Sequence, residues 1–356
     1  MLKKSACALF SLLLIWNISP VSSGLDLSAA GAVVYCVETG GILYEKNAYS
    51  QMSMASTTKI MTSLIALEEN TPFRRVTITA EMVNVEGSSS GLEEGDIVTL
   101  KDLVYCMLLE SGNEAANAAA YAISGSLEGF AELMNERAAE IGMTGTSFET
   151  PSGLDGENHY TTAYDMALLT AAALENEDFC EICASVSYKL TFINSDKTVT
   201  LYNHNKLLQS YDDCIGVKTG YTKKSGRCLV SAAKRDGVTV IAVTLNDGND
   251  WEDHVKMLDY GFSLCKSEKI KTDFSAYSVP VVNSDVSFVG VEGVEAAVAL
   301  ASGEDKSEIQ VKIYLEKFLY APVNKGDAVG YAEYIVNGRT AARITLTASD
   351  CCEITK

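Results

Sequence analysis

Three short segments gather residue types that can carry acyl transfer: Ser56-Thr57-Thr58-Lys59, Ser111-Gly112-Asn113 and Lys218-Thr219-Gly220. If Ser56 opens a helix, Lys59 lies one turn later on the same face, within reach of the Ser56 hydroxyl. A serine hydroxyl is a poor nucleophile until a base takes its proton. A lysine is that base only when neutral, which burial or a neighbouring cation achieves by lowering its pKa. The helix start also offers backbone N–H groups to a developing oxyanion. Ser111 and Asn113, two apart in a turn, can aim a hydroxyl and an amide into one cleft. Lys218 and Gly220 share a face of a predicted strand, and Gly220 lets a substrate backbone approach. Thr219 points the other way in an ideal strand, so a twist or bulge must bring its hydroxyl round. Taken singly, each segment has an ordinary explanation: a capping serine, a polar loop, a solvated lysine. Their combination and order carry the weight.

The elements that must hold these residues follow from periodicity. Gly31–Val37 is apolar and β-rich, Glu38-Thr39-Gly40-Gly41 supplies a turn, and Ile42-Leu43-Tyr44 completes a hairpin. From Ser56 the pattern turns helical, with Ile60, Leu64 and Leu67 on one face. Gly87–Gly91 is a loop. Helices are predicted at Leu103–Leu109, Glu114–Ile123, Leu127–Ile141 and Thr162–Leu174, the last capped by Thr161 or Thr162 with Asp165 in its first turn. Gly216–Thr219, Arg227–Lys234 and Val238–Leu245 read as strands, the last two joined at Arg235-Asp236-Gly237. A helix from Trp251 to Phe262 follows. Strands first, helices in the middle, then an antiparallel meander indicate an α+β domain. Beyond Ile270, short β-rich runs at 278–282, 286–289, 296–300, 309–314, 328–335 and 341–346 describe a small all-β sandwich. The expected division is 1–23, 24–265 and 266–356.

Residues 1–23 read as a secretory signal. Lys3 and Lys4 precede an apolar run from Ala6 to Ile18, and Val21-Ser22-Ser23 offers small residues for cleavage before Gly24. The run is short for a spanning helix, which disfavours an uncleaved anchor. The chain is thus expected to be exported. A formal charge of −19 argues against a phosphate-tracking surface, so no nucleic-acid partner is expected. Of ten cysteines, Cys180 and Cys183 have metal-like spacing, but none of His159, His204 and His254 stands at ligand spacing from a cysteine pair. No metal and no cofactor are expected.

The three motifs resemble the Ser-x-x-Lys, Ser-x-Asn and Lys-Thr-Gly set of penicillin-binding proteins and β-lactamases. Ala55–Thr62, Ser111–Asn117 and Val217–Thr222 are similar to the low-molecular-mass penicillin-binding proteins, the serine D-alanyl-D-alanine carboxypeptidases of peptidase family S11. Gly87–Ser90, Ser152–Asp155, His159–Ala167 and Leu258–Phe262 extend the likeness over roughly residues 29–265. The resemblance implies a β-lactamase/transpeptidase-like domain followed by a C-terminal β-domain. It implies Ser56 as nucleophile, Lys59 as general base and Ser111 as proton relay. Asn113 would bind substrate and orient Lys59. Lys218 and Thr219, with Gly220 beside them, would hold the terminal carboxylate, and N–H groups of Ser56 and Tyr221 would form the oxyanion hole. The implied partner is a peptidoglycan stem peptide ending in D-Ala-D-Ala, with β-lactams as inhibitors.

Two departures stand out. Many relatives place an arginine just before the last helix, where this chain has Asp250-Trp251, so carboxylate binding is expected to rest on Lys218. The tail Asp350–Lys356 shows no basic amphipathic helix, so membrane attachment through the C-terminus is not expected. A β-lactamase would need a deacylating glutamate, and no Glu-x-x-Leu-Asn segment lies between 114 and 217. Endopeptidase action on cross-links and a catalytically inactive wall-binding role stay open beside the carboxypeptidase reading.

Overall fold

The computed structural model describes residues 24–69 and 71–355; the leader read at 1–23 lies outside the described residues. Five strands form the central antiparallel sheet: β1 (Gly31–Cys36), β2 (Gly41–Lys46), β3 (Cys214–Thr222), β4 (Gly226–Arg235) and β5 (Val238–Leu245). Their order is β2-β1-β5-β4-β3, which leaves β3 on an edge. Alternation decides which side each residue serves. In β1, Val33 and Tyr35 join the large core on one side, while Ala32, Val34 and Cys36 join a smaller core on the other. In β5, Ile241 and Val243 face the large core, and Val240 and Ala242 the smaller one. Asp236 and Gly237, both with positive φ (50° and 85°), form the tight turn between β4 and β5, as the hairpin reading expects.

The long helices are α1 (Lys59–Glu68), α2 (Leu100–Leu109), α3 (Asn113–Ser124), α4 (Leu127–Ile141), α5 (Ala163–Ala173), α6 (Glu177–Ala184) and α7 (Asp250–Leu264). Helix α7 covers the smaller core with Met257 and Leu258. The other six contribute side chains to the large core. Helix α1 is buried from Lys59 to Leu67, on every face rather than one stripe. That is the burial of a central helix, and it takes Lys59 out of water. Thr162 caps α5 by accepting from the Asp165 N–H. Two antiparallel strand pairs (75–77 with 97–99, and 187–191 with 198–202) and α6 are not anticipated by the sequence patterns.

Residues from Cys265 onward are all-β. Cys265–Ile270 pairs with Ala296–Ala301, and a six-stranded sheet is built on the pairing of Ala328–Val336 with Arg339–Ala348. Val279, Val289, Val298, Val329, Tyr334 and Leu346 fill the core between them. Among the described residues, no helix is long and apolar enough to cross a membrane.

Candidate active site

Ser56 lies in a single 3-10 turn, Ala55–Thr58, that leads directly into α1. The turn is fastened by its own hydroxyls: Thr57 Oγ1 donates to the Met54 carbonyl (2.6 Å) and Thr58 Oγ1 to the Ala55 carbonyl (2.8 Å). Ala55 is held at φ 48°, a left-handed conformation costly for a residue with a Cβ. Gly153 backs it, since a Cβ there would overlap the Ala55 carbonyl oxygen. His159 ties this turn to the 149–159 loop. Its Nδ1 accepts from the Glu149 N–H (3.0 Å), so Nε2 carries the proton and donates to Thr58 Oγ1 (2.9 Å). Burial pushes the imidazole down to about 4, which keeps it neutral at neutral pH.

Lys59 is wholly buried. Its Nζ lies 3.1 Å from Ser56 Oγ, 2.7 Å from Asn113 Oδ1 and 2.5 Å from the Ser152 carbonyl. An ammonium has three hydrogens for these three oxygens. A neutral amine has two, which suit the amide and carbonyl oxygens, leaving its lone pair for the Ser56 O–H. Burial is the main force holding Lys59 well below the ordinary lysine value, the nearby Lys218 charge adds to it, and Glu114 opposes it.

Ser111 sits at φ 61° between α2 and α3, again left-handed and not glycine. Such a residue stores roughly 1–3 kcal/mol of strain, a pattern found at functional sites. Asn113 opens α3. Its Nδ2 donates to the Glu86 carbonyl (2.7 Å) and its backbone N–H to the Ser88 carbonyl (2.8 Å), so the 86–90 loop rests on the Ser111–Asn113 turn.

On β3, Lys218 is buried and its Nζ donates to the Thr219 carbonyl (2.8 Å); burial pushes its pKa down to about 7. No distortion is needed at Thr219. Pairing with β4 is regular from Gly216 to Thr222, and the irregularity lies upstream, between Cys214 and Gly216. Thr219, Gly220 and Tyr221 all line the cleft because it runs along the open edge of β3. Gly220 also answers to the protein's own backbone: a Cβ there would lie 3.0 Å from the N atoms of Ser56 and Thr57.

Ser56, Ser111, Thr219, Gly220 and Tyr221 thus meet in one cleft of about 500 Å³. Asn113 and the two lysines lie behind its walls. The cleft also contains Ser88, His204, Arg227, Cys228, Asp250 and Trp251. Arg227 was missed in the sequence. It sits on β4 directly opposite Tyr221, so the pairing of the two strands was the signal that could have found it. Asp250 holds it through two bonds, Nε–Oδ2 at 3.0 Å and Nη2–Oδ1 at 2.5 Å. The guanidinium carbon lies 5.8 Å from the centre of the Trp251 ring.

Comparison with known proteins places this geometry. The family model described as D-alanyl-D-alanine carboxypeptidase, peptidase S11, matches residues 19–249. The chain belongs to peptidase family S11. A second model, the C-terminal domain of penicillin-binding protein 5, matches residues 266–353. The S11 chain is 32% identical to the D-alanyl-D-alanine carboxypeptidase DacF of Bacillus subtilis, over 92% of its own length and 87% of the relative's. Penicillin-binding protein 5 from Haemophilus influenzae has a similar structure, with a TM-score of 0.66 at 27% identity, covering 93% of this S11 chain and 99% of that one. The Streptomyces K15 DD-transpeptidase aligns with a TM-score of 0.65 at 32% identity, over 67% of this chain and 98% of that one.

Proposed function

We propose that the protein removes the terminal D-alanine from peptidoglycan stem peptides ending in D-Ala-D-Ala, outside the cytoplasmic membrane, through an acyl-enzyme on Ser56. The observation that carries this reading is the buried Lys59 amine at 3.1 Å from the hydroxyl of Ser56, which itself lines the cleft. Neutral Lys59 takes the Ser56 proton as Oγ attacks the carbonyl between the two D-alanines. The oxyanion is met by N–H groups of Ser56 and Tyr221. The tetrahedral intermediate collapses as the proton passes from Lys59 through Ser111 to the departing amine. Water then hydrolyses the ester, with Lys59 again accepting a proton. Thr219 and Arg227 hold the substrate's terminal carboxylate, the buried Lys218 charge attracts it from behind the wall, and Gly220 gives its backbone room.

β-Lactams acylate the same serine. Slow loss of that adduct, as the carboxypeptidase reading implies, is expected rather than β-lactamase turnover. The test is release of D-alanine from a D-Ala-D-Ala peptide by the wild type, together with mass spectrometry of the penicillin-treated protein. Activity lost in Ser56→Ala and an adduct on the peptide containing Ser56 support the reading. An adduct elsewhere, or D-alanine release by Ser56→Ala, overturns it.

A further inference from the structure

One buried carboxylate beside the site has no part in that mechanism. Glu114, in the first turn of α3, follows Asn113 and is 3% exposed. Its Oε1 accepts three hydrogen bonds from the 86–90 loop: from the Ser90 N–H (2.5 Å), the Ser90 hydroxyl (2.8 Å) and the Ser89 hydroxyl (2.9 Å). With the two bonds from Asn113, these stitch the loop that places Ser88 in the cleft to the turn that carries Ser111. The fit leaves no slack: a Cβ on Gly112 would lie 2.7 Å from Ser90 Oγ, and one on Gly87 would lie 2.7 Å from Asn113 Nδ2.

Latching the loop requires only one acceptor oxygen, which a glutamine would also provide. Yet the second oxygen, Oε2, is buried and accepts no hydrogen bond from any described protein group. Burying a charge with one bare oxygen costs free energy unless an opposite charge lies near. Lys59 supplies that charge: its Nζ donates to Oδ1 of Asn113, the residue before Glu114 (2.7 Å), and its amine feels the Glu114 carboxylate. Lys59 is faced by Lys218 from β3, by Glu114 from α3 and by the neutral His159 from the 149–159 loop; Glu114 is faced by the Cys106 thiol from α2.

We propose that Glu114 is a positioning residue with two tasks: its carboxylate clamps the 86–90 loop onto the Ser111–Asn113 turn, and it supplies the buried negative charge that balances Lys59. The second task rests on the reading of Lys59 as the base. Glu114 favours the charged form of Lys59, so removing its charge makes the amine easier to keep neutral. The base then stays active to lower pH.

The experiment is the rate of acylation by a fluorescent penicillin, measured from pH 4 to 9 for the wild type, Glu114→Gln, Glu114→Asp and Ser90→Ala. A wild type without an acidic limb would refute Lys59 as base, separately from any role of Glu114. Given that limb, E114Q is expected to move it to lower pH, while E114D, which keeps the charge, holds it near the wild-type position. S90A, which removes one of the three bonds of the latch and spares the charge, is expected to lower the plateau rate about tenfold through misplacement and leave the limb in place. Should E114Q not fold, Glu114→Asn takes its place, since it also removes the charge, and it is expected to move the limb to lower pH. A limb unmoved or raised in E114Q, a limb displaced in E114D, or one displaced in S90A overturns the proposal.

Discussion

Arg227 and Asp250, 23 residues apart in sequence, form a two-bond ion pair on the wall of the cleft that also holds Ser56. The carboxylate is nearly buried (5% exposed) and the guanidinium partly open (44%), so one partner anchors and the other presents. Asp250 engages Nε and one hydrogen of Nη2. The remaining N–H groups are free to meet a second carboxylate in the fork geometry that suits arginine. Lys218, by contrast, is enclosed behind the wall. Arg227→Gln is therefore expected to raise KM for a peptide ending in a free D-Ala carboxylate by about 10- to 100-fold, the worth of a charge-assisted hydrogen bond. A peptide with a C-terminal amide should respond little. Equal losses on both substrates would show that Arg227 does not read the carboxylate.

The two buried amines predict a bell-shaped pH profile. Acylation needs Lys59 neutral, so kcat/KM falls as pH drops through its depressed pKa. Carboxylate binding needs Lys218 charged, and burial pushes its pKa down to about 7, so kcat/KM for carboxylate substrates also falls as pH rises above that value. With an amide-ended substrate the alkaline limb should vanish and the acidic limb remain. An alkaline limb shared by both substrates would remove Lys218 from carboxylate binding.

Much of this site was legible because its key spacing is local. Lys59 stands three positions after Ser56, and helical geometry brings them together wherever the helix lies. The Asp236-Gly237 turn and the limits of α4 were equally open to local reading. What stayed hidden depends on contacts far apart in the chain. The Ser152 carbonyl reaches Lys59 across 93 positions, and no periodicity announces it. Arg227 became a cleft residue only through the pairing of β4 with β3. Helix α6 could have been found, because Asn176 caps it at the Phe179 N–H with Glu177 and Asp178 in its first turn. In the fold, the two thiols of α6 donate to backbone carbonyls, Cys180 to Leu174 and Cys183 to Ile215.

Gly153 should be intolerant of any side chain. Its φ is 85°, and an added Cβ would overlap the Ala55 carbonyl oxygen and lie 2.8 Å from Thr58 Oγ1. The backbone that must yield is the one presenting Ser56. Gly153→Ala is expected to destabilise the protein by about 3 kcal/mol and to slow penicillin acylation by about 100-fold in the fraction that remains folded. Gly142→Ala is the control. Gly142 also has positive φ (91°), but nothing lies within 4 Å of the added carbon. It should lose about 1 kcal/mol for its left-handed backbone and keep its acylation rate. Similar rate losses in both would mean that the Ala55 contact does not set the nucleophile's position.

Two histidines tie the stability of the domain to pH. His254 is fully enclosed between Ser231 and Thr244, with Nε2 at 2.9 Å from Thr244 Oγ1, and burial pushes its pKa down to about 3. His159 is pushed down to about 4. In the unfolded chain both titrate near 6.5. Between about pH 4 and 6.5 the unfolded state therefore binds more protons than the folded state, and stability rises with pH across that window. Their contribution is whole above about pH 6.5, and it is lost progressively as pH falls towards the folded values. At pH 5.5, unfolding of His254→Gln should take up about one proton fewer than unfolding of the wild type. Unchanged proton uptake in the variant would mean that His254 is already protonated in the folded protein, contrary to its enclosure between two hydroxyls.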